Sequence, residues 1–98
     1  MARKIVWTKR ANNNYNGIIE YLEADWEEQV IIDFVKKTYK ILGLICEYPH
    51  LGSIENQEKG IHGFLITSHN RLFYRFSDTE LVLLNFFDTR QQAGKRKF

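Results

Sequence analysis

The sequence is poor in the residues that staple or punctuate a chain. It holds one cysteine, Cys46, and one proline, Pro49, in 98 residues. A single cysteine excludes an internal disulfide framework and a four-cysteine zinc site. Three histidines, His50, His62 and His69, are too few and too irregularly spaced for a metal centre. No metal and no cofactor are therefore expected. No apolar run approaches the roughly 18 residues that a membrane span needs, and Met1 to Trp7 contains no signal-peptide apolar core. A cytoplasmic domain without a membrane partner is the expectation. Also missing are a glycine-rich phosphate loop, a His-Glu-x-x-His metal motif and a Gly-x-Ser-x-Gly nucleophile elbow.

What is present is the composition of a packed domain. Hydrophobic residues make up 44% and aromatic residues 14% of the chain, which argues against disorder. The length fits one domain over residues 1–98, with a short basic tail from about residue 91. A chain of this size buries roughly 60–65% of its unfolded surface, enough for a core without staples. The net charge of +2 hides a dipolar pattern. Residues 1–10 carry Arg3, Lys4, Lys9 and Arg10 and no acid, whereas residues 20–33 carry six acids and no base. The end carries Arg90, Lys95, Arg96 and Lys97 against Asp88. Basic termini suit nucleic acid or an acidic protein; a solvated surface is the plain alternative.

The hydrophobic period gives the elements. Residues 3–7 read as a strand, and Thr8 is placed to cap a helix. Ala11, Tyr15, Ile18, Ile19, Leu22 and Trp26 then form a helical stripe. Four asparagines and Gly17 weaken that helix, so burial of the stripe must hold it. Asp25-Trp26-Glu27-Glu28 reads as a capping box for a second helix, with Asp25 at the cap. Its stripe is Ile31, Phe34, Val35, Thr38, Ile41, Leu42 and Ile45, and it ends before Pro49. Residues 49–60 are turn-rich and read as the one substantial loop. The period then drops to two. Strands are expected over 61–67, 71–76 and 81–88, joined by two short turns as an antiparallel meander. The nearly all-apolar Leu81 to Phe87 reads as a central strand. The fold class is α+β, ordered β-α-α-β-β-β. A helix hairpin packs on one face of a four-stranded, mainly antiparallel sheet.

Chemistry concentrates in the cations of the meander. Arg71 and Arg75 are an even number of residues apart and so share one face of their strand. Arg90 follows the last strand, and His62 lies near the start of the first. Arginines grip phosphates in bidentate fashion. Two arginines and a histidine would also meet the needs of RNA cleavage through 2′-OH attack. Alternatively, strand arginines pair with carboxylates or cover the sheet with their stems. Cys46 is expected to pack. Trp7, Trp26 and Phe87 are candidate partner anchors, with core packing as the competing role.

The chain resembles the RelE/ParE toxin superfamily of bacterial type II toxin–antitoxin systems. The resemblance covers roughly residues 3–91. It rests on Ile5-Val6-Trp7-Thr8 entering a helix hairpin and on Tyr48-Pro49-His50-Leu51-Gly52 after it. Arg71-Leu72-Phe73-Tyr74-Arg75-Phe76 and the closing Phe86-Phe87-Asp88-Thr89-Arg90-Gln91 complete it. It implies a growth-inhibiting toxin of plasmid stabilisation type, neutralised by a cognate antitoxin with which it forms a hetero-oligomer. The RelE-like branch cleaves mRNA on the ribosome, and the ParE-like branch poisons DNA gyrase. By resemblance Arg71 and Arg90 match arginines of the RelE-like site. The family's two strand lysines fall at His62 and Phe64, its late tyrosine falls near Arg96, and Asp88 stands where many relatives carry a histidine. These departures place the chain nearer the ParE-like branch, with a gyrase target. The alternatives are a ribosome-dependent endoribonuclease using Arg71, Arg90 and His62, or a degenerate, inactive toxin. Arg75, Lys95, Arg96 and Lys97 are the candidates for nucleic-acid or target binding.

Overall fold

The computed structural model describes residues 3–89. Strand β1 (Lys4–Trp7) leads directly into helix α1 (Lys9–Asp25), and helix α2 (Glu28–Glu47) follows after two residues. A 3-10 turn (Pro49–Leu51) precedes β2 (Ser53–Asn56), β3 (Ile61–Thr67), β4 (Asn70–Phe76) and β5 (Glu80–Asp88). The sheet order is β1-β5-β4-β3-β2. β1 runs parallel to β5, and the other pairs are antiparallel. The α+β architecture and the helix hairpin are as the sequence implies. Among the described residues, however, the sheet has five strands rather than four, because Ser53–Asn56 pairs with β3 inside the expected loop. Gly60 closes the turn between β2 and β3 at φ +67°, a conformation glycine adopts without strain.

Thr8 fixes the start of α1 twice over. Its Oγ accepts the Ala11 N–H at 3.1 Å and donates to the Leu83 carbonyl of β5 at 2.8 Å. One side chain thus caps the helix and ties it to β5, an interior strand. The second cap differs from expectation. α1 runs through Asp25, and Glu27 is the N-cap of α2 without a side-chain cap bond. Glu28 still places an acid in the first turn, where it favours the macrodipole. At the far end of α2 the Cys46 thiol donates to the Arg3 carbonyl at 2.8 Å. Arg3 Nη1 donates to the Cys46 carbonyl at 3.1 Å. Cys46 is buried and acts as a clasp between α2 and the segment before β1.

The main core lies between the helices and one sheet face. Ala11, Tyr15, Ile18 and Leu22 of α1 and Phe34, Ile41, Leu42 and Ile45 of α2 meet Ile66, Leu72, Tyr74, Leu81, Leu83 and Phe86. Most of both expected stripes is therefore buried, but Trp26 is 46% exposed. A smaller cluster of Ile61, Phe73 and Phe87, joined by Leu84, covers part of the opposite face. Trp7 stacks on Phe86 at 5.4 Å, and Phe87 is buried in the smaller cluster. Of the three candidate anchors Trp26 is the most exposed.

Tyr15 buries a hydroxyl whose pairing can be measured. Burial, chiefly, raises its pKa, and the nearby Thr38 hydroxyl opposes the rise. Thr38 gives its own proton to the Phe34 carbonyl at 2.8 Å, and among the described residues the buried Tyr15 hydroxyl has no hydrogen-bond partner. An unpaired buried hydroxyl costs about 1–3 kcal/mol. Tyr15→Phe should therefore leave stability unchanged or raise it by up to about 1 kcal/mol, read as the urea unfolding midpoint.

Candidate functional site on the open sheet face

The sheet face away from the helices is built by alternation along β4. Leu72 and Tyr74 join the helix-side core, which places Arg71, Phe73 and Arg75 on the open face. Arg71 sits opposite Leu65 of β3 and Phe87 of β5. Its Nη1 meets Glu55 Oε2 of β2 at 3.1 Å, and the Ser53 hydroxyl donates to the same oxygen at 2.7 Å. The pair crosses β3 above Gly63, where a Cβ would lie 2.9 Å from both Arg71 Nη1 and Glu55 Oε2. A side chain at Gly63 would therefore push the ion pair aside. Beside the pair is a cavity of about 220 Å³, lined by His69, Asn70, Arg71 and Phe87 among others.

His62 is not part of this group. It pairs with Tyr74 in the ladder and shares the helix-side face. Its ring stacks on Tyr74 at 5.7 Å and lies 5.1 Å from Phe76 and 6.2 Å from His50. The sheet therefore separates His62 from Arg71 and Arg75, which the sequence reading had placed on one cationic face. The structural alternative describes Arg71: it is paired with a carboxylate. Asp88 is fully buried at the end of β5, opposite Asn70. Arg90, Lys95, Arg96 and Lys97 lie outside the described residues.

Arg75 stands apart from Arg71, exposed at the other end of the open face. It borders a cleft of about 550 Å³ with Arg10 from the first turn of α1 and Lys59 from the β2–β3 turn. Ile61, Leu84 and Thr8 form the rest of its lining. Neither Arg10 nor Lys59 stands out in the sequence as a partner of Arg75, since the fold joins three distant segments here. Glu55 and His69 were equally hidden as neighbours of Arg71. The spacing of Glu55 from Arg71 carries no signal until the β2–β3 pairing is known. Among the described residues no cluster of three His, Cys, Asp or Glu side chains is placed to hold a metal. No described helix is long and apolar enough to cross a membrane.

The family model for the ParE toxin of type II toxin–antitoxin system parDE matches residues 5–93. The chain belongs to the ParE toxin family. It is accordingly the toxin of a type II toxin–antitoxin system. No curated protein matches the chain significantly. Solved structures of toxins in this superfamily share the fold at low identity. The chromosomal ParDE system from P. aeruginosa aligns with a TM-score of 0.71 at 10% identity, over 89% of this chain and 96% of that one. A YoeB/ParE toxin from Agrobacterium tumefaciens aligns at 0.62 and 18%, over 87% and 97%. The RelBE2 toxin–antitoxin complex from Mycobacterium tuberculosis aligns at 0.59 and 17%, over 90% and 99%. ParE-type and RelE-type toxins thus share one scaffold, and the site residues must carry the distinction.

Proposed function

We propose that this ParE-family toxin acts in the cytoplasm by binding DNA gyrase, without catalysing RNA cleavage, and that a cognate antitoxin neutralises it in a toxin–antitoxin hetero-oligomer. The observation that carries this reading is the state of Arg71. A transition-state cation must be aimed at developing charge, with an acid or base within reach. Arg71 is instead engaged by Glu55, whose carboxylate repels a phosphate, and His62 is on the far side of the sheet. The family match to a ParE toxin and the fold shared with a ParDE system support the same reading.

A second reading rests on His69. It lines the small cavity together with Arg71, so an imidazole and a guanidinium border one space on the open face. That arrangement favours a ribosome-dependent endoribonuclease. The two readings separate on induction of the chain alone in bacteria, followed by labelled thymidine and labelled amino-acid incorporation in one culture. The gyrase reading expects thymidine incorporation to fall first. It also expects Arg71→Ala to keep growth inhibition within about threefold of the parent, as for removal of a partly exposed ion pair. An early fall in amino-acid incorporation, abolished by Arg71→Ala in a folded protein, would replace it with the nuclease. Removal of one transition-state cation costs about 100–1000-fold in rate.

A further inference from the structure

The cleft at Arg75 is the feature that neither reading uses. Three cations surround it: Arg10 from α1, Lys59 from the β2–β3 turn and Arg75 from β4. Among the described residues no carboxylate lines it; Glu58 is next to Lys59 in sequence but does not border the cleft. Its floor is apolar, formed by Ile61 and Leu84, and Leu84 packs on the buried Phe73 cluster beneath. The floor is thus held by the sheet, and only the cationic rim is long-chained. At about 550 Å³ the cleft falls within the range of ligand sites, about 300–1,000 Å³. The neighbouring Arg71 is paired with Glu55, whereas Lys59 and Arg75 are exposed at this end of the face. Thr8 adds no free donor, because its proton goes to Leu83.

We propose that the cleft bounded by Arg10, Lys59 and Arg75 binds the phosphodiester backbone of a nucleic acid. Guanidinium groups pair bidentately with phosphate oxygens, and an ammonium adds a point charge. The apolar floor accepts the sugar and base edges that the backbone carries with it. An acidic protein segment would use the same charges but presents carboxylates at side-chain tips, without a repeating anion on a rigid backbone. The proposal goes beyond the gyrase reading and holds or fails separately from it, since it concerns the isolated protein and a nucleic acid.

The test is fluorescence anisotropy of the full chain with three labelled 15-nucleotide probes: single-stranded DNA, duplex DNA and single-stranded RNA. The double variant Lys59→Glu/Arg75→Glu is compared with Lys36→Glu/Lys40→Glu, which makes the same charge change on exposed positions of α2. Binding by the parent should weaken with salt. The cleft variant should lose about tenfold or more in affinity and flatten the log–log salt slope by about 1.4–1.8, from about 0.7–0.9 per phosphate contact. The α2 variant should stay within about threefold, as expected of charges outside the contact. Lys59→Gln/Arg75→Gln gives the smaller loss of charge removal, and circular dichroism verifies folding of every variant. The probe that binds tightest identifies the nucleic acid. No binding by the parent to any probe at low salt overturns the proposal. So does an equal loss in the two glutamate variants, which would show diffuse attraction to a basic protein. Incorporation experiments report on the gyrase reading in either case.

Discussion

Phe86→Ala should remove about 3–5 kcal/mol of stability, the usual result of truncating a fully buried phenylalanine. Phe86 is 1% exposed on β5, an interior strand, and is the hub of an aromatic cluster. Its ring stacks on Trp7 of β1 at 5.4 Å and meets Tyr15 of α1 at 4.8 Å, and Tyr15 in turn stacks on Phe34 of α2 at 5.5 Å. The Phe86 ring therefore joins β5 to β1 and α1, and through Tyr15 the cluster reaches α2. Aromatic pairs of this kind add about 0.5–1.5 kcal/mol beyond burial of their area. A domain holds only about 5–15 kcal/mol in total, so the loss is a large share. The melting temperature should fall by roughly 12–40 °C, at about 4–8 °C per kcal/mol for a domain of this size. Tyr39 is the control. It also approaches Trp7, at 6.5 Å, but is 56% exposed, so Tyr39→Ala should change stability by less than about 1 kcal/mol. Urea midpoints at constant m-value decide the matter. A loss below about 1 kcal/mol for Phe86→Ala would mean that the site collapses freely and that the hub role is wrong.

The same aromatic cluster explains how far the sequence could be read. Periodicity located both helices and the three-strand meander, because each element buries one face and its apolar residues repeat accordingly. It also put Arg71 and Arg75 on one face of β4; the structure turns Leu72 and Tyr74 toward the helices and that face away from them. What periodicity does not hold is the phase of one strand against the next. His62 looked like a neighbour of the arginines, but the register sets it opposite Tyr74, on the other face. Strand β2 was hidden because Ser53-Ile-Glu-Asn is four residues long with no apolar alternation, amid turn formers. It is held by pairing with β3 rather than by its own propensity. With β2 unseen, Glu55 could not be matched to Arg71. The cap at Asp25 failed for a related reason. Asp25 continues α1, so the turn into α2 falls two residues later. Arg10, Lys59 and Arg75 meet only through tertiary packing, and their separation in sequence leaves no local trace.

Tyr74→Phe should cost about 1–3 kcal/mol despite removing one oxygen, because it leaves two buried backbone groups unpaired. The Tyr74 hydroxyl donates to the Pro49 carbonyl at 2.7 Å and accepts the Gly52 N–H at 3.0 Å. These groups flank the 3-10 turn that carries the chain from α2 to β2. No side chain fits at Gly52, since a Cβ there would lie 2.8 Å from the Gly63 carbonyl oxygen. The hydroxyl thus fixes the entry to β2, and through β2 the position of Glu55 against Arg71. Loss of hydrogen-exchange protection at Gly52 would show that effect directly. The same contact gives an alkaline signature. Burial, as the larger effect, raises the Tyr74 pKa above 10, and the Gly52 hydrogen bond lowers it in part. In the unfolded chain a tyrosine loses its proton near 10. Above that pH the unfolded state binds fewer protons than the native state, so stability falls as pH rises toward the native pKa. The contribution is fully present below pH 10. Tyr15, also raised by burial, adds to the same decline. Tyr74→Phe should therefore be less stable than the parent at pH 8 and lose less further stability between pH 10 and 11. A variant that declines as steeply as the parent over that interval would assign the alkaline loss to groups other than Tyr74.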